Sequence, residues 1–443
     1  MSQMFHIIKL FTTNNSLSLG GGRGEDSRGK DSKKAVLFFL LVACTFSGFS
    51  QTLDDFLKEA AENNPELKAD YAGFEAALQK APQVASLPDP TLTVSAFGRM
   101  IETRLGAQEA RFSLTQMFPW FGTLKAQEDA ATAAAQARFH QYINQRSLLF
   151  VDVKTRFAEL YVLDKTIALK EENLSILDSY RKLALSGFRS GNAPMVNVVK
   201  VDMEREAAIT EIELLKDRKK PLEVQFNLLL NREKELPVVI ADSLRLGQNL
   251  ALLKEPENGS SFEAHPTLVA LDSEKTALNR RINAIEKDGL PKFGLGVDYS
   301  IISKRTDANP EMNGQDAIMP MVSVTLPIFR KKYKAAKKEV EFMQVEVEAR
   351  QTAQRNNLQS NYEMTLYELN QAEKLLKLYE SQLQRIDQAT RLYVSGFANA
   401  TADFEEVLRM NQQKILIQTQ QLEALKNGFV AQAQLEYLRS KTE

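Results

Sequence analysis

From about Thr123 to Leu185, and again from about Lys331 to Val394, the chain contains neither glycine nor proline. Nothing in either stretch breaks a helix, and at 1.5 Å per residue the first would run about 95 Å as one continuous helix. An ordinary globular domain cannot bury such an element along its length. Val153, Leu160, Ile167 and Leu174 recur every seven residues in the first stretch. Leu408, Ile415, Leu422 and Phe429 do the same in the last helical tract. A sustained period of seven predicts helices that pack side by side as coiled coils.

The segments before the long tracts have a different period. In 91–98 (TLTVSAFG), Leu92, Val94 and Ala96 alternate with polar residues, and in 110–117 Phe112 and Leu114 do so. The pattern returns in 293–301 (FGLGVDYSI) and 321–329 (MVSVTLPIF). Period two with one apolar and one polar face predicts four strands. Their surroundings also recur. Asn64-Pro65 and His265-Pro266 open helices, LPDP and LPKF break them, and SGF follows each long tract at 186–188 and 395–397. The landmark separations are 201 for Pro65/Pro266, 208 for Pro119/Pro327 and 209 for Gly187/Gly396. This is a duplicated half rather than a short-period solenoid. The expected organisation is an N-terminal extension and leader at 1–50, a first repeat at 51–231, an irregular segment at 232–262 and a second repeat at 263–443. The fold class is α+β, mostly α.

Residues 33–50 (KKAVLFFLLVACTFSGFS) carry the basic, apolar and small-residue regions of an export signal. The apolar run is too short to span a bilayer. Cleavage after Ser50 and lipidation of Cys44 within the lipobox-like Leu41-Val42-Ala43-Cys44 are both readings of this leader. Cys44 is the sole cysteine, which excludes an intrachain disulfide. With 56 basic and 57 acidic residues, charge gives no case for nucleic acid. The three histidines lack metal-type spacing, no cofactor motif is present, and no nucleophile elbow, phosphate loop or paired-carboxylate context suggests an enzyme.

An exported chain with no later apolar helix crosses a membrane, if at all, with strands. Four strands cannot close a barrel around a channel, but three copies would supply twelve. The FPWF cluster (118–121) falls where a strand gives way to a helix, the level of an interfacial aromatic belt or of ordinary junction packing.

The duplicated layout, the joints TQMFPWFGTLKAQ and SVTLPIFRKKYKAA, and the tips FRSGNAPMVNVV and ADFEEVL resemble the TolC-type outer-membrane efflux proteins over essentially all of residues 52–439. The resemblance implies a homotrimer in outer-membrane lipid. Long coiled-coil helices would form an α-barrel across the periplasm, and four strands per chain would complete a twelve-stranded β-barrel. It also implies docking to a periplasmic adaptor and, through it, to an inner-membrane pump. The rival reading is an exported periplasmic coiled-coil scaffold or adaptor.

Function is then expected in a pore and its mouth. Asp178 and Asp387 each lie nine residues before the glycine of SGF, so a trimer would gather six carboxylates near the tips. Arg391, four residues beyond Asp387, is an expected helical partner for it. Gly187, Gly191 and Gly396 are the candidate adaptor-docking tips, where glycine lets the chain reverse and another backbone approach. Met312, Met319 and Met321 cluster around the second strand pair; apolar filling is their expected role, with thioether ligation the alternative.

Overall fold

The structure, a computed structural model, describes residues 52–240, 243–247, 262–399 and 401–440. The leader, Cys44 and much of the irregular 232–262 segment lie outside the described residues. The described elements are α1 (Leu53–Asn63), α2 (Pro65–Leu78), α3 (Lys80–Ala85), β1 (Thr91–Thr103), β2 (Gly106–Phe118), α4 (Thr123–Arg189) and α5 (Val196–Leu229). They continue with α6 (Pro266–Asp288), β3 (Lys292–Ile302), β4 (Ala317–Thr325), α7 (Lys331–Ala398) and α8 (Phe404–Leu438). The class is α+β and mostly α.

The tracts without helix breakers are unbroken helices of 67 and 68 residues, α4 and α7, each about 100 Å long. Both outrun the expectation, since they pass through SGF and end only at Arg189 and Ala398. A lone glycine costs a helix about 1 kcal/mol and does not end it when packing favours continuation. The heptad residues fall where the period placed them: Val153, Leu160, Ile167, Leu408 and Ile415 are buried.

Each half starts a helix by the same device. Asn64 precedes Pro65, and its Oδ1 accepts from the Leu67 amide at 3.0 Å. His265 precedes Pro266, and its Nδ1 accepts from the Thr267 amide at 3.3 Å. Proline tolerates the first helical position because its missing N–H would be unpaired there anyway.

The core is distributed along the long helices. Around the middle of α4, Leu149, Val153, Phe157 and Leu160 pack with Phe56, Ala60, Leu67 and Phe226. Around the middle of α7, Leu358, Tyr362 and Leu369 pack with Leu268 and with Ala431, Leu435 and Leu438 of α8. Each half of a long helix therefore has its own partners. The part of α4 nearer the sheet lies against α2, α3 and α6, and its far part against α5. The far end has a third cluster, in which Leu177, Ala184, Val198 and Val201 of the first hairpin meet Phe404, Val407 and Leu408 of the second.

The strands form one antiparallel sheet in the order β1-β2-β3-β4. Two expectations are corrected here. The first strand does not stop at 98, where the alternation lapses: pairing continues through Ile101↔Gln108, Glu102↔Ala107 and Thr103↔Gly106 after a register shift. Backbone pairing tolerates a lapse in side-chain alternation, and the shift absorbs it. The last strand begins earlier and ends at Thr325, although alternation persists to Phe329, because β3 starts at Lys292 opposite Thr325 and offers nothing beyond.

Candidate functional site

The register sorts the sheet's side chains into rows. Leu92, Leu114, Val297 and Pro320 lie in one row, and Val94, Phe112, Tyr299 and Ile318 in the next. Leu92, Val94, Phe112, Leu114, Val297, Tyr299 and Ile318 are exposed large apolar residues. The rows between them read Thr93, Ser113, Asp298, Met319 and Ser95, Arg111, Ser300, Ala317. Along β3 this second face is the sheltered one, with Gly294, Asp298 and Ser300 buried while Leu295, Val297 and Tyr299 are exposed. An apolar outer face over a polar inner one is the reverse of a soluble sheet, and is what strands facing lipid on one side and water on the other require. Strands of 13, 13, 11 and 9 residues suffice to cross a bilayer at a tilt. Among the described residues β1 and β4 are each paired on one side only.

The strand–helix joints also match between halves. Phe121 and Phe329, separated by the same 208 as the prolines, are 83% and 79% exposed. Trp120 instead stacks on Phe293, with centroids 5.5 Å apart. The FPWF cluster thus divides, Trp120 packing the joint and Phe121 facing outward.

At the other end, Asp178 Oδ1 accepts from Arg205 Nε at 2.6 Å, and Asp387 Oδ1 lies 2.7 Å from Lys414 Nζ. Both pairs cross from the long helix of a hairpin to its return helix. Asp387 is therefore paired across the hairpin and not with Arg391, whose side chain sits exposed on the same helix. Arg205 and Lys414 are separated by 209 residues, as are Asp178 and Asp387. The same cross-hairpin ion pair therefore recurs in both hairpins at one offset. The sequence reading found the acids and missed the cations, though the repeat offset was enough to find them.

The glycines divide in role. Gly191, at φ +75°, is left-handed and exposed, with open space where a Cβ would stand. Gly187 and Gly396 are helical and sit beneath the returning chain. A Cβ on Gly187 would come 3.1 Å from Ala193 Cβ, and one on Gly396 2.9 Å from Ala402 Cβ. The Gly187 carbonyl accepts from the Asn192 amide at 2.9 Å, and the Gly396 carbonyl from the Thr401 amide at 2.8 Å. The two SGF tripeptides are structural equivalents, each omitting a side chain so that an alanine six residues on can close the turn.

Comparison with known proteins bears on these features together. Residues 56–231 match the outer membrane efflux protein family. No curated protein matches the sequence. The fold is similar to the outer-membrane channel OprN (15% identity, TM-score 0.69, covering 88% of this chain and 90% of that one). It is also similar to the outer membrane protein VceC of Vibrio cholerae (14%, 0.68, 88% and 96%). The Campylobacter jejuni CmeC outer membrane channel gives 12%, 0.68, 87% and 85%. The resemblance read from the sequence is thus shown, and the likeness in fold extends well beyond residues 56–231. No helix among the described residues is long and apolar enough to cross a membrane.

Proposed function

We propose that the protein is an outer-membrane exit duct. Three copies pair β4 of one with β1 of the next, closing twelve strands in the membrane, while the hairpins form a tube across the periplasm. The observation that carries this is the sheet, with its lipid-type outer face, polar inner face and two strands that are paired on one side only among the described residues. Substrates pass passively, moved by a pump that reaches the duct through a periplasmic adaptor. The tips around Gly187, Gly191 and Gly396 are the adaptor-docking surface, and Gly191 is the one whose Cα faces open space. Asp178, Asp387 and Arg391 stand near the mouth, where carboxylates released from their partners would favour cations.

Reconstitution in a planar bilayer tests the duct: discrete single-channel steps are expected, and their absence from heat-dissociable oligomers counts against it. Asp387→Ala should raise conductance or lower cation preference, and unchanged values remove Asp387 from the mouth. A bulky side chain at Gly191 should abolish adaptor crosslinking while oligomers persist. A soluble periplasmic monomer would favour the scaffold reading, which leaves the apolar outer face of the sheet unexplained.

A further inference from the structure

The second strand–helix joint carries a charge run that the first lacks. Arg330, Lys331, Lys332, Lys334, Lys337 and Lys338 follow one another with no acid between them. Some of these cations are used within the fold. Arg330 Nη1 donates to the Gly289 carbonyl at 3.3 Å, Lys337 Nζ lies 2.6 Å from a Glu286 oxygen, and Lys338 Nζ lies 3.2 Å from one of Glu341. Lys331, Lys332 and Lys334 are exposed in the first turn of α7, which holds no acid. They have no ion pair among the described residues, and Lys332 lies over the Tyr333 ring, 4.7 Å from its centroid. Just before them, Leu326, Ile328 and Phe329 are exposed large apolar residues. The first joint is built differently. Phe121 is exposed there too, but the cation in the opening turn of α4 is Lys125, held 3.1 Å from both Glu128 and Asp129.

Cations in the first turn of a helix stand at the positive end of its dipole, where they are disfavoured. The described fold offers Lys331, Lys332 and Lys334 no acid to offset this, so an anion outside the chain is the complementary partner. The neighbouring side chains say what kind. A free anion has no use for exposed Leu326, Ile328 and Phe329, whereas a phospholipid presents an acyl layer and, one step out, a phosphate. Lysines within one helical turn of apolar side chains that enter the acyl layer reach that level, because the long stem lets the ammonium extend to the headgroups. Clustered cations beside a membrane-crossing element attract anionic lipid. We propose that the second joint is a docking site for an anionic phospholipid. Lys331, Lys332 and Lys334 meet the headgroup, and Leu326, Ile328 and Phe329 enter the acyl layer. The first joint, its one cation neutralised, takes lipid without regard to charge. That the joints stand at the membrane surface rests on the duct reading; the difference between them is the further step.

Phosphatidylglycerol and phosphatidylcholine of one acyl length, offered in equal amounts to the detergent-solubilised protein, are the probes. Lipids retained are counted by native mass spectrometry. Phosphatidylglycerol should be kept at least about threefold over phosphatidylcholine, a preference that weakens as salt rises. Lys331→Gln/Lys332→Gln/Lys334→Gln should abolish the preference. Lys374→Gln/Lys377→Gln/Arg385→Gln removes the same charge from exposed positions of α7 about 60 Å or more away and should leave it intact. Equal retention of the two lipids, a preference that survives the first triple variant, or one lost equally in the second would each overturn the assignment. So would displacement of the lipid by excess glycerol phosphate, which would make this a site for free phosphate. Heat-modifiable mobility on a gel follows assembly; if the first triple variant alone fails to assemble, the lysines serve contact between copies and the assignment falls. Channels formed without the preference leave the duct and remove the lipid site. The preference in a protein that forms no channel leaves the site and removes the duct.

Discussion

The two helical hairpins share a plan and differ in how firmly their tips are tied. In the first, Arg205 holds Asp178 and also lies 3.8 Å from Asp202, which in turn binds Arg181 at 2.6 Å. Four charges thus lace α4 to α5. In the second, Lys414 meets Asp387 and the network stops, because the places of Arg181 and Asp202 are taken by Thr390 and Asn411. Asn411 is used differently: its amide donates to Asn173 Oδ1 at 2.8 Å in a buried contact between the hairpins. The second hairpin invests instead in Phe404, which is 0% exposed and packs edge-on to Tyr180 and against Phe397. Its counterpart in the first hairpin, 209 residues earlier, is Met195, 46% exposed. Both hairpins share one scaffold. Divergence then made the first tip a charge-laced clamp and the second an apolar plug that joins the two.

That contrast can be broken most forcefully at its apolar end. Phe404→Ala should cost about 3–5 kcal/mol, as for other buried aromatics, and Met195→Ala less than about 1. Hydrogen exchange at the tips reads both, and equal effects would erase the distinction.

The next largest difference lies at the helix starts. Burial pushes His265 down to about 4, with the Tyr437 backbone carbonyl opposing, whereas its counterpart Asn64 cannot titrate. Unfolded histidine protonates near 6.5. Between those values the unfolded chain binds the extra proton, so stability is complete above about 6.5 and falls as pH drops towards 4. The loss amounts to about 3 kcal/mol at most. Thermal midpoints followed from pH 7 to pH 4 should decline less in His265→Asn, and parallel declines would contradict the assignment.

The charge lacing predicts the smallest effect. These side chains are part-exposed, so Arg205→Ala should loosen the first tip by about 1 kcal/mol and Lys414→Ala the second by less, both shrinking in high salt. A larger effect at Lys414 would reverse the comparison.

How much of this was legible in the sequence follows from what each feature depends on. The long helices, the strands and the duplication rest on local period and spacing, which survive in one dimension, and Val153 or Leu92 could be assigned an environment from its neighbours alone. The end of β4 could not, since alternation runs on to Phe329 while pairing depends on where β3 begins. Asp387 invited the helical rule that four residues on is a neighbour, yet the return helix placed Lys414 closer. Gly187 and Gly396 read as breaks because glycine usually serves turns; here the missing side chain makes room for Ala193 and Ala402.

The central claim is that one sheet with two free sides is a third of a barrel. Native mass spectrometry of the protein released from detergent counts the chains directly. Three chains per particle is the predicted result. Particles of one or two chains, which leave strand edges open in lipid, would contradict it.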